Sequence, residues 1–195
     1  MIFRPAFVCL ALMTMPLAAQ MESWKIDPAH SAAQFSVRHL GISTVRGAFT
    51  KLTGTVQYDP SDVAKSVIDV TIQAASVDTR VDMRDNDLRS DHFLDAAKYP
   101  TITFQSRKVE SAGTGKLKVT GDLTIHGTTK QVVLDVDGPS DTIKDKRGMT
   151  HMGASATTTI NRMDFGVSGA PGAVGNDITL TIDVEMVKEG PPATK

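Results

Sequence analysis

The chain has 195 residues, of which 41% are hydrophobic and 22% charged, and its formal net charge is -1. That composition suits one ordinary globular domain, or at most two small ones. Near-neutral charge without a run of like charges excludes partners held by bulk electrostatics, nucleic acid and anionic membrane surfaces among them. The only cysteine is Cys9.

Residues 1–19 form the first unit. Arg4 is the only charged side chain before Glu22, and an apolar run from Ala6 to Met15 leads into Pro16-Leu17-Ala18-Ala19. A positive start, a short apolar stretch and small terminal residues make a secretory signal peptide, too short for a spanning helix. Cleavage after Ala19 is expected, leaving a domain over 20–188 and a flexible tail over 189–195. Cys9 goes with the leader, so the exported chain has no thiol for a disulfide, a nucleophile or a metal.

From there the sequence alternates with period two, the signature of strands with one apolar face. Ala33, Phe35, Val37 and His39 share a face in the first strand. Arg46 to Tyr58 changes phase between Phe49 and Leu52, which predicts a bulge or bend near Gly47 or Lys51. Ile68, Val70 and Ile72 mark the next strand, and Ile102 and Phe104 the one after. Leu117, Val119, Gly121, Leu123 and Ile125 share one face, then Val132, Leu134 and Val136. Met152, Ala154, Ala156 and Ile160 follow, and Ile178, Leu180, Ile182, Val184 and Met186 close the series. Turn signals separate them at Tyr58-Asp59-Pro60-Ser61, Ala112-Gly113-Thr114-Gly115, His126-Gly127 and Asp137-Gly138-Pro139. One helical segment is expected between Asp78 and Tyr99. Thr79 caps a turn that starts at Arg80, with Asp82 as its acidic partner, and Ser90 caps a second turn over Asp91 to Ala97.

About eight long strands with short connections imply an all-β fold, an eight-stranded antiparallel up-and-down barrel with one short helical segment. A two-layer sandwich with a filled core is the competing architecture. Small inner residues, Ala33, Gly121, Ala154 and Ala156, favour a hollow barrel. Its tube suits a slender apolar chain better than a compact molecule.

The expected lining comprises Phe35 and Val37, Ile68, Val70 and Ile72, Ile102 and Phe104, and Leu117, Val119 and Leu123. Leu134, Ala154, Ala156, Phe165, Leu180 and Ile182 complete its apolar part. His39 is the first candidate for a ligand's polar end, since it ends an inner face; Arg80 and Arg84 follow, on a segment suited to cover a mouth. No H-x-x-x-H pair, nucleophile elbow, phosphate loop or calcium loop appears, so no metal and no catalytic set is expected. An enzyme acting on a lipid, with His39 and Asp85 as acid–base pair, stays as the alternative, as does an envelope stress scaffold without ligand.

Several stretches together resemble the YceI-like family of bacterial periplasmic proteins. They include Trp24-Lys25-Ile26-Asp27-Pro28-Ala29-His30-Ser31, Phe35-Ser36-Val37-Arg38-His39-Leu40-Gly41 and Val45-Arg46-Gly47-Ala48-Phe49. Ser76-Val77-Asp78-Thr79, Leu88-Arg89-Ser90, Lys98-Tyr99-Pro100, Gly121-Asp122-Leu123-Thr124 and Asp164-Phe165-Gly166 continue the series in family order. The resemblance implies an extended lipocalin-like barrel in the periplasm that binds polyisoprenoid or isoprenoid quinone lipid and needs no other cofactor. A transient contact with a membrane protein and a homodimer both stay open.

Overall fold

Alternation places one side of each segment under cover, and β-branched residues at those positions favour extended chain. The structure, a computed structural model, describes residues 21–190. The expected signal peptide and the tail beyond Gly190 lie outside them. The strands are β1 Glu22–Ile26, β2 Ala32–His39, β3 Ser43–Phe49, β4 Leu52–Tyr58, β5 Val67–Gln73 and β6 Val77–Asp78. Helix α1, Asp82–Arg89, comes next, then β7 Thr101–Ser111, β8 Lys116–Ile125 and β9 Thr128–Asp137. Two-residue β10 Ile143–Lys144, then β11 Thr150–Asn161 and β12 Val174–Lys188, complete the chain.

These strands build a closed antiparallel barrel of eight staves. β1 and β2 form one stave, interrupted by residues 27–31, and β3 and β4 form another. β5, β7, β8, β9, β11 and β12 supply the rest, each beside its neighbour in sequence. β12 closes the ring. Along one edge it pairs with β11 from His151↔Val187 to Asn161↔Asp177; along the other it pairs with β2 and then β1. The β9–β11 joint is the shortest full seam, three residue pairs from Ser155↔Asp137 to Thr157↔Asp135.

Local differences from expectation have physical causes. The phase change in the second stave falls at Thr50–Lys51, where β3 ends and β4 begins. β1 gives only a weak alternation, because it is five residues long with two apolar positions, Trp24 and Ile26, and a charge at Glu22 on their own phase. α1 starts at Asp82, and Val81 stands at its N-cap without a side-chain bond. Thr79 does not cap it. Its hydroxyl and N–H donate instead to the buried Asp85, at 2.5 and 2.9 Å. Residues 91–97 form turns rather than helix. Ser90 works on both sides there, donating to the Asp87 carbonyl and accepting the His92 N–H.

One barrel end is plugged. Phe93, Ala96, Phe165 and Val167 are buried together with the inner residues of β7 and β8. A side chain at Gly169 would meet the Phe93 ring at 2.9 Å. Tyr99 stacks edge-on against His126 at 4.6 Å. His126 and Gly127, with φ of 50° and 74°, make the tight two-residue β8–β9 turn.

Arg162 fastens this plug. It is only 4% exposed, and it donates to four backbone carbonyls, those of Val167, Gly169, Val174 and Gly175, at 2.7 to 3.0 Å. Burial pulls its guanidinium below the usual arginine range. The planar fork of five donors matches a ring of carbonyls in a way that a lysine does not. Arg162→Ala strands those acceptors, and the expected loss of unfolding free energy is about 2–4 kcal/mol. Arg162→Lys is expected to recover less than half. Urea unfolding of the three proteins measures both, and a loss near zero for Arg162→Ala would show that the plug holds without it.

Candidate functional site

The interior of the barrel is a lumen whose wall is almost wholly apolar. Of its 28 lining residues only Gln34, Tyr58 and Ser66 carry a polar side-chain group. The alternation of β5, β8, β9, β11 and β12 points one apolar residue in two at this space. Inner residues of β7 and β8 such as Phe104, Val109 and Val119 are fully packed. Val132, Leu134, Ala156 and Ile182 also line the lumen and are half-buried.

The centre of a water-sized sphere has about 180 Å³ to move in. Spread evenly along a barrel about 25 Å long, that space would average about 3 Å across. Adding a sphere radius of about 1.4 Å on each side gives a bore of about 6 Å, close to the width of a hydrocarbon chain.

Of the expected lining, thirteen residues face this lumen: Ile68, Val70 and Ile72; Ile102 and Phe104; Leu117, Val119 and Leu123; Leu134; Ala154 and Ala156; and Leu180 and Ile182. Six stand elsewhere. Phe35 and Val37 lie on the β2 extension that pairs with β3 above the lumen, and the Phe35 ring fills the space a side chain would need at Gly47. His39 sits at the far end of that extension, opposite Ser43. Arg80 is exposed, with a positive φ of 64°. Arg84 gives its Nε–H to the Thr79 hydroxyl and an Nη–H to the Thr79 carbonyl. Phe165 belongs to the plug.

Alternation alone cannot tell which parts of a face lie above a plug. Fifteen lining residues lie outside the expected set; most are spread over the other strands and their connections, while Val56 and Tyr58 come from the end of β4 and Ile26 from β1. Trp24 and Ile26 alternating with Ser23 and Lys25 were the available signal.

The expected acid–base pair does not form. The Asp85 carboxylate is occupied by Thr79, which packs against Gly47. His39 pairs four residues further along the same strand, about 13 Å away. No Asp, Glu, His, Lys or Arg stands among the described lining residues.

Two neutral donors lie toward the end opposite the plug. Tyr58 lines the lumen, and its hydroxyl makes no hydrogen bond among the described residues. Burial pushes its phenol above the usual value, with Glu22 and Asp59 adding to the shift, so it stays protonated. Trp24 is fully buried behind Ile26, Met152 and Met186, and its indole N–H has no partner.

A separate polar cluster lies outside the barrel wall, where Asp27 and His30 meet Glu185, His151 and Asp145. Hydrogen bonding to His30 holds Asp27 below the usual carboxylate range and raises His30 in return. Desolvation pushes Asp145 up, but the N–H groups of Met149 and Arg147 and the His151 ring outweigh it and leave the carboxyl lowered.

Comparison with known proteins follows the same architecture. The YceI-like domain profile matches residues 24–186. A UPF0312 protein of Vibrio cholerae is 39% identical over 184 residues, 92% of this chain and 93% of its own. A UPF0312 protein of Pseudomonas putida is 37% identical over 191 residues, 95% and 98% of the two chains. Among solved structures, a Campylobacter jejuni YceI protein is 38% identical with a TM-score of 0.70, over 78% of this chain and 90% of that one. BcnA of Burkholderia cenocepacia gives 0.73 at 25% identity, over 82% and 98%. A polyisoprenoid binding domain from Saccharophagus degradans shares the fold at 16% identity, with a TM-score of 0.64 over 86% and 99%.

Two small inner residues separate hollow from filled. A Cβ at Gly121 would meet the Phe104 ring at 2.4 Å and the Gln105 carbonyl at 2.6 Å. Its smallness therefore seats Phe104 rather than leaving space. Ala156 borders the lumen. Gly121→Ala is expected to cost about 1–3 kcal/mol, whereas Ala156→Phe costs under about 1 kcal/mol. Thermal unfolding compares them, and a larger loss for Ala156→Phe would mean that the interior is already full.

Proposed function

The chain belongs to the YceI-like domain family, and from that premise we propose that it is a binding protein, a carrier or store, for a long-chain apolar lipid held in the barrel. The observation that carries this reading is a lumen of about 180 Å³ inside the barrel, with almost no polar group on its wall. Burying apolar area contributes about 25 cal/mol per Å², so a tail of several hundred Å² binds usefully with few polar contacts. The shared fold with a polyisoprenoid binding domain is consistent with a polyisoprenoid or isoprenoid quinone as ligand. The leader-like residues 1–19 suggest the periplasm as the place of action. The reaction class is binding, with the lipid itself the only small-molecule partner. A membrane protein met in transit and a second copy of the chain remain compatible with it.

The polar end of the lipid sits toward Tyr58 and Trp24 in this reading. A charged head is disfavoured there, since a phosphate needs cations and no lining residue supplies one. A neutral oxygen acceptor suits the Tyr58 phenol. Freshly purified protein extracted with organic solvent should release an apolar lipid visible by mass spectrometry. Tyr58→Phe should weaken a quinone-headed lipid about threefold to tenfold and leave a hydrocarbon of the same length unchanged. Salt-sensitive preference for a prenyl diphosphate would sink the neutral-head reading. An empty extract together with no binding of added lipids would sink the carrier reading itself.

The short β9–β11 seam is the proposed route of entry. Val133 and Thr159 would face each other where that ladder is unpaired. Introduced as Val133→Cys and Thr159→Cys, they would carry the only thiols from Gln20 onward. Their disulfide should slow lipid exchange and a reductant should restore it; unchanged exchange after oxidation places the entry elsewhere.

A further inference from the structure

We propose that the outer cluster of Asp27, His30 and Glu185 is a binding site for a divalent transition-metal ion, zinc being the natural probe. The site is separate from the lumen, and the inference stands whether or not the barrel carries lipid.

Geometry makes the case. One ligand atom from each of the three residues lies within 4.8 Å of the other two. In a tetrahedral zinc site with bonds of about 2.0–2.2 Å, ligand atoms stand about 3.4 Å apart. Closing the cluster takes side-chain movements of about 1 Å. His30 can supply them, since its side chain is 64% exposed.

The backbone beneath is already pinned. The Asp27 N–H donates to the Glu185 carbonyl at 2.8 Å, and the Glu185 N–H donates to the Ser31 hydroxyl at 3.0 Å. The interruption between β1 and β2 is thus held against β12 at the one residue that would bridge both to the ion. The Asp27 Oδ1 accepts the Ala29 N–H at 2.9 Å, which orients the carboxylate and leaves Oδ2 facing His30.

A second observation lies one residue further in. His151 is paired with Glu185 through Nδ1 at 2.8 Å, as the outer partners of metal-bound carboxylates commonly are. Its buried Nε2 faces Asp145 Oδ2 at 3.5 Å. With Glu185 on one ring nitrogen and Asp145 facing the other, His151 is bracketed by two carboxylates and holds the Glu185 side chain in place beside Asp27 and His30. Three protein ligands and one open position suit zinc, and nitrogen donors select transition metals over magnesium and calcium. His151 is a positioning residue here, acting through Glu185. Bound metal would tie the interrupted first stave to β12 on the outside of the closing seam.

The test uses metal-free protein without a polyhistidine tag. Zinc is titrated by calorimetry and cobalt(II) by visible absorption. One saturable site per chain is expected, with cobalt bands of a four- or five-coordinate ion and no competition from magnesium or calcium. His30→Ala and Glu185→Gln should abolish it. His151→Phe should weaken it about tenfold, with partial rescue by His151→Gln, which keeps a donor toward Glu185. His39→Gln, at the far end of β2, should leave it unchanged. Should Glu185→Gln fail to fold, the exposed pair His30→Ala and Asp27→Asn decides the matter. Absence of a saturable site, or zinc binding that survives His30→Ala, would overturn the inference and leave the cluster as a hydrogen-bonded clasp.

Discussion

Closing the sheet is the constraint from which the rest of this molecule follows. A strand with one apolar face and two open edges is unstable alone in water. β12 resolves both problems because, at 15 residues, it is long enough to serve three partners. Its first part carries β2, its last part carries β1, and its other edge carries β11 throughout. The interruption in the first stave exists because one continuous strand is replaced by two that meet β12 in succession. Loss of that pairing would expose the edges and the inner face together.

A closed ring of eight staves leaves an inside whose contents are set by side-chain size. Here the two halves differ. The β7–β8 wall is thick, with Phe104 lying over Gly121 and Val109 and Val119 fully buried. The β9 and β11 wall carries the smaller Ala154, Ala156, Val132 and Val136. The lumen is bordered by both walls, and the second includes the three-pair seam between β9 and β11. Buried side chains on one wall and small ones on the other leave an apolar space inside a packed barrel.

Charge is arranged to stay out of that room. Arg162 is spent on four carbonyls of the plug, and Arg84 and Arg89 on carbonyls around Thr79, Ala75 and Val77. Asp85 is spent on Thr79. These groups hold the loops of the plugged end where a strand ladder no longer can, which is why a segment dense in arginine and aspartate sits there. What remains on the lumen wall is neutral: the Gln34 amide, the Tyr58 phenol and the Ser66 hydroxyl.

The sequence by itself determined the strands, their inward faces and the all-β, barrel-forming logic, because a period of two is a local property that each stave carries alone. Ile68, Val70 and Ile72, or Leu180 and Ile182, can face only one way once extended. It also placed the break near Lys51 and the turns at His126-Gly127 and Asp137-Gly138. Only the tertiary structure decided which inward residues meet space and which meet a neighbour. Phe35, Val37 and His39 share the alternation of Ala33, yet Ala33 lines the lumen and the others lie beyond it. Gly121 looks like room for a ligand until Phe104 is seen to fill it. Arg80 and Arg84 look like a mouth until Thr79 claims one of them. The outer cluster of Asp27, His30, His151 and Glu185 gathers residues up to 158 positions apart, brought together by the register of β11 on β12. Such a meeting depends on how staves close around an axis, and no local pattern records that.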